Sequence, residues 1–218
     1  SPVGAEETVQ SLLQNRMNTP LLRAEGTLTG EGLCWHAAYD MDRFMDEYRT
    51  TSDPAFLDAA VQYYDALIGK MHVSPDGFKG WVGPYIYDEK YICDVHVGDA
   101  ILINPMLDFS EIVLKRSPEK IRQTYQAKAQ SYVDLARQDL IEKWDVRGTW
   151  REDGPYDAYV SWDRYMTSDN LEELQTIPVS TSSLSLPFNK QTTLAIACLR
   201  LYRITGENAY REKALKIF

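Results

Sequence analysis

Three times along the chain an apolar stripe at three- and four-residue spacing is followed by a stop signal and a second stripe. That recurrence restricts the fold to packed helical hairpins. Leu33, Cys34, Ala37, Ala38, Met41, Phe44, Met45 and Tyr48 make the first stripe, and Asp53-Pro54 then reads as an N-cap with a first-turn proline. Phe56, Leu57, Ala60, Tyr63, Tyr64, Leu67 and Ile68 continue as the second helix of an antiparallel pair. The segment 100–116 opens the next pair, Ser117-Pro118 repeats the cap-and-proline signal, and a long helix follows from Glu119 to about Trp144. Towards the C-terminus a helix spans Lys190 to Ile204, Gly206 ends it, and Asn208 starts another. Pro105 either kinks the helix it lies in or restarts it after Asn104.

The second helices superpose: Phe56, Tyr125 and Tyr210 correspond, as do Ala60, Ala129 and Ala214, at spacings of 69 and 85 residues. Unequal spacing excludes a strict short-period solenoid. The surplus residues fall in two connections, about residues 73–99 and 145–187, long enough to be functional or to carry short strands. The whole chain, residues 1–218, reads as one all-α domain of antiparallel hairpins with two long aromatic-rich loops.

The alternation of first and second helices, with Thr-Gly-Glu-x-x-Tyr-x-x-x-Ala at the turn Thr205 to Ala214, resembles the (α/α) toroids of six-hairpin glycosidases and related polysaccharide lyases. Leu186-Pro187-Phe188-Asn189, leading into an apolar helix and then that turn, is similar to the same families. The resemblance implies inner helices whose N-terminal ends surround a glycan-holding funnel; the matching positions are Gly32 to Asp40, Asp94 to Asn104 and Phe188 to Gln191. It also implies six hairpins where three are visible. Phe218 falls about ten residues into its helix (a short helix for Ala214, Leu215 and Ile217 to anchor), so the chain is expected to be the N-terminal part of a larger toroid. Further hairpins or a second copy would complete the ring.

Composition narrows the function. A net charge of −9 with no Lys/Arg cluster argues against nucleic acid, and no apolar run is long enough to cross a bilayer. Cys34, Cys93 and Cys198 are too dispersed for a zinc finger or disulfide framework. Nucleotide, zinc-protease and serine-hydrolase motifs are missing from the sequence, and no cofactor or metal is expected. An oligo- or polysaccharide is the expected partner, and a secreted or periplasmic location fits it.

Eleven of the 25 aromatic residues fall within residues 78–96 and 144–165, in or beside the two connections, about twice what an even spread would give. A ring pairs a flat apolar face with a polar tip, which suits sugar C–H faces and hydroxyls, although rings also anchor loops. Trp35, His36, Trp81, Tyr91, Trp162, Arg164 and Asn189 are the candidate substrate-binding residues. Asp40, His96 and Asp99 are the candidate catalytic residues. His36 and Asp40 share a helix face, and Asp94, His96 and Asp99 cluster around Gly98 at a helix start, where either acid could alternatively be a cap.

Three functions fit. Hydrolysis of a glycosidic bond needs two flanking carboxyl groups, assigned here to Asp40 and Asp99. β-Elimination on a uronic-acid glycan would use Asn189 and Arg164 against the carboxylate, with His96 and a tyrosine exchanging protons. A non-catalytic glycan- or protein-binding module predicts that Asp40, His96 and Asp99 do not converge.

Overall fold

The computed structural model describes residues 2–17, 29–85, 88–152, 158–162, 164–176 and 186–218. It is mostly helical. Helix α1 (Pro2–Met17) is followed by α2 (Gly30–Met41) and α3 (Arg43–Thr51), the first stripe being interrupted only at Asp42. Ser52, in the left-handed region at φ 56°, ends α3, and the Asp53 side chain accepts the Ala55 N–H at 2.9 Å to start α4 (Ala55–Ile68). Helix α5 (His96–Glu111) passes through Pro105 without stopping and ends in a π-helical turn (Ile112–Arg116). Helix α6 (Glu119–Ala136) leads through a second π-helical turn (Arg137–Glu142) into α7 (Lys143–Val146). Helix α8 (Phe188–Thr205) closes on left-handed Gly206, φ 74°, before α9 (Asn208–Ile217).

Side-chain registers fix the directions. Gly98 near the start of α5 lies against Cys34 near the start of α2; Asn104 donates to the Thr193 carbonyl of α8 at 2.9 Å; Arg49 and Arg200 both reach Asp108. Helices α2–α3, α5 and α8 therefore run parallel, with α5 in the middle. In the second row, Tyr125 donates to Asp58 at 2.6 Å and Tyr132 to Asp65 at 3.0 Å, so α4 and α6 are parallel too, and Lys213 of α9 meets Asp145 of α7. Helix α5 is apolar on nearly every face and accordingly buried along its length, with only Ile101 and Asn104 partly exposed. Around it Phe44, Tyr63, Tyr64, Phe109 and Tyr132 form the aromatic centre of one continuous core.

The expectation of an all-α chain with two long loops needs correction, because the connections carry short antiparallel strands. The first holds β1 (His72–Val73) paired with β2 (Lys79–Gly80), then β3 (Gly83–Pro84) and β4 (Tyr91–Cys93); the second holds β5 (Trp150–Arg151), β6 (Ala158–Tyr159), β7 (Arg164–Thr167) and β8 (Asn170–Thr176). Tyr91 pairs with Thr167 and Ile92 with Met166, so one four-stranded sheet, order β3-β4-β7-β8, joins the two connections. Both are thereby fixed over the same end of the α2–α5–α8 row.

Candidate functional site

The three parallel helices begin together, and the chemistry-bearing residues gather there at two depths. The deeper group centres on the start of α5. Neither Asp94 nor Asp99 caps that helix: Val95 is the extended N-cap residue, and no side chain bonds the free amides. The Lys143 ammonium lies between the two acids instead, 2.7 Å from Asp94 Oδ2 and 2.7 Å from Asp99 Oδ2, and spends its third proton on the Lys79 carbonyl at 2.7 Å. Arg147, one turn after Lys143, reaches Asp94 at 2.9 Å and grips Asp76 through two nitrogens at 2.8 and 3.1 Å. Trp144 Nε1 adds a bond to Asp99 at 3.0 Å. Lys143, Asp94 and Asp99 are all buried.

The second π-helical turn makes this possible. Without an ordinary α-helical register through residues 137–142, Asp139 accepts the Lys79 amide at 2.8 Å while Lys143, Trp144 and Arg147 all face the start of α5. Burial and the nearby Asp94 raise the Asp99 pKa well above the carboxylate range. Burial opposes the charge of Lys143, but Asp94 and Asp99 outweigh it and raise its pKa.

His96 belongs to the same closed layer. Its ring stacks on Trp144 with centroids 3.7 Å apart, and Tyr159 meets it at 5.6 Å. The Thr149 hydroxyl gives its one proton to the Trp144 carbonyl at 2.7 Å, so at 2.9 Å His96 Nε2–H is the donor to Thr149 Oγ1. Burial, with Lys143 and Arg147 nearby, holds the His96 pKa well below its usual value, and the ring is neutral. Trp162 is buried too, edge-on to Trp144, with the Arg147 guanidinium 4.0 Å from its ring centre. Trp81 is a core residue whose indole donates to the Leu67 carbonyl at 2.8 Å. Neither Trp81 nor Trp162 offers a ring face to solvent.

The outer layer is open. Trp35 is 41% exposed, Tyr39 88% and Phe188 67%. Glu31 accepts the Trp35 indole N–H at 3.1 Å and faces Lys190 of α8 at 3.7 Å, bridging the two flanking helices. His36 and Asn189 are exposed. Asp40 pairs with Arg16 of α1 at 3.0 Å and shares no partner with His96 or Asp99. Arg164 is exposed at the start of β7, whereas Tyr91 is half-buried beneath Lys90. Two further aromatic residues of the connections, Tyr87 and Tyr156, and the acid Asp163 next to Arg164 lie outside the described residues.

The structure thus brings His96 and Asp99 together and leaves Asp40 apart. Sequence reasoning missed Lys143, Arg147 and Thr149; Tyr39 and Phe188 fall within the funnel positions it marked but were not among its candidate binding residues. Lys143 did carry a signal, a cation set between Leu140-Ile141 and Trp144 on an apolar face. Among the described residues, no three His, Cys, Asp or Glu side chains gather as a metal site, and no helix is long and apolar enough to cross a membrane. Comparison of the chain with protein-family models, with curated proteins and with solved structures finds no match.

Proposed function

We propose that the chain is part of a carbohydrate-active (α/α) toroid and that the leading ends of α2 and α8 form its glycan-binding surface. The observation that carries this reading is the contrast between the two layers. Nearly all the rings around the start of α5 are packed away, yet Trp35 and Phe188 face solvent beside the Glu31–Lys190 bridge, and Tyr39, further along α2, is exposed too. Leaving large apolar side chains exposed forgoes about 1.5–3 kcal/mol each of burial. A sugar returns that energy by laying its C–H face on a ring, while Glu31, His36 and Asn189 stand close in sequence to meet hydroxyls. Two rows of parallel helices, each hairpin reversing direction, also suit a toroidal arrangement.

The buried layer has a supporting part in this reading. Asp99 is sealed by Lys143 and Trp144, so the sequence-derived pair Asp40 and Asp99 does not flank a common bond, and only Asp40 remains within reach of substrate. His96 has its one proton committed to Thr149, which removes it as the proton-exchanging group of an elimination. Binding is therefore the activity assigned to this surface, and the Asp94–Lys143–Asp99 cluster holds its floor in place.

Titrating the chain with neutral and uronic-acid oligosaccharides while following tryptophan fluorescence tests the proposal. A saturable change is expected with at least one glycan. Trp35→Ala should weaken it about tenfold or more, as loss of a single stacked ring does at comparable sites. Absence of saturable binding across the panel, or unchanged affinity in Trp35→Ala, overturns the reading.

A further inference from the structure

We propose that the closed cluster at the start of α5 is an electrically neutral unit that stores one proton on Asp99, so that the fold's grip on its two connections weakens as the pH rises. Three carboxylates, Asp76, Asp94 and Asp99, face two cations, Lys143 and Arg147. The groups approaching from the other elements do not alter the balance. His96 is neutral, the Cys34 thiol of α2 is pushed up by burial and stays protonated, and Glu31 of α2 is matched by Lys190 of α8. Full ionisation would leave one uncompensated negative charge in a closed interior, where an isolated charge costs several kcal/mol.

The partners decide which acid gives way. Asp76 is gripped twice by Arg147 and keeps some contact with solvent. Asp94 has both Lys143 and Arg147, on its Oδ2. Asp99 has only a share of Lys143 and the Trp144 indole, also on one oxygen. Oδ1 of each acid is buried with no hydrogen-bond partner, so on either a proton costs less than a charge, and Asp99, with one shared cation against two, is the acid that holds it. The upward shift of the Asp99 pKa has the same direction.

A folded pKa above the unfolded one means that the folded chain holds a proton the unfolded chain has lost. The stabilisation is full below the ordinary Asp pKa and disappears as the pH rises through the folded value. The experiment is denaturant unfolding of the wild type and Asp99→Asn between about pH 4 and 9. Taking the ratio of the two unfolding constants cancels the other titrating groups. The expected result is a wild-type constant that rises relative to the variant by up to tenfold per pH unit above about pH 4. A ratio that stays flat or falls shows Asp99 ionised in the fold and overturns the proposal. If Asp99→Asn does not fold, carbon-13 NMR of aspartate-labelled wild type decides. A protonated side-chain carboxyl at pH 7 that persists in Asp42→Asn supports the proposal, since among the described residues Asp42 is the other aspartate whose pKa burial raises. Complete ionisation of the aspartates at that pH refutes it.

Discussion

Gly80 owes its identity to what lies against its Cα. A Cβ there would stand 2.3–2.5 Å from the Asp94 carboxylate, and that carboxylate cannot retreat because Lys143 and Arg147 hold it. Gly80→Ala must therefore either break an ion pair or displace β2. The expected cost is at least the 1–3 kcal/mol or so typical of overpacking, measurable as a lowered urea midpoint. His96 makes a second residue-level prediction, with the opposite pH sense to Asp99. Its folded pKa lies below the unfolded value near 6.5, so its contribution is full above that pH and is lost as the pH falls. The wild-type unfolding constant should rise towards pH 5, by up to tenfold per unit. In His96→Phe, which keeps the stack on Trp144, that acid limb should flatten; an unchanged limb would show that the ring already carries its proton in the fold.

At the scale of elements, the cations reach the acids only because a π-helical turn precedes α7 and re-aims Lys143. Replacing Lys143 with Met keeps most of the apolar stem and removes the ammonium that Asp94 and Asp99 share. Breaking one partner out of a buried ionic cluster costs about 3–5 kcal/mol, and that is the loss expected in denaturant unfolding of Lys143→Met. A loss below about 1 kcal/mol would mean that water already reaches the acids. The same elements show what the sequence makes legible. The hairpins can be read because their signals are local: Asp53-Pro54, Ser117-Pro118, Gly206 and an apolar repeat every three or four residues. Apart from β8 the strands have two to four residues, too few positions for a period of two, and Tyr91 finds Thr167 across 76 residues of chain. The acidic cluster around Gly98 was visible as a cluster. Its role was hidden because the partners of Asp94 and Asp99 arrive from positions 44–53 residues away.

Across the whole molecule the central helix α5 is held at both ends by ions, in two different media. At the leading end Lys143, Asp94 and Asp99 have essentially no exposed side-chain surface. At the trailing end Arg49, Arg200 and Arg203 converge on Asp108 and Glu111, and the Arg49 and Arg203 side chains are each 47% exposed. Charges in contact with solvent are screened within about 3 Å at 1 M salt, whereas a closed cluster feels little of the counterion atmosphere. Removing an acid from the trailing end also leaves its arginines free to rehydrate, with Asp46 still beside Arg49 and Glu111 beside Arg200. Asp108→Ala should thus cost about 1–3 kcal/mol at low salt, the range for losing hydrogen bonds to a charged group, and markedly less in 1 M NaCl. The deficit of Lys143→Met should be the same in both. Urea unfolding of the wild type and the two variants at low and high salt measures both deficits. Equal salt sensitivity at the two ends would mean that the leading cluster is hydrated, and the floor beneath Trp35 and Phe188 would then be a yielding one.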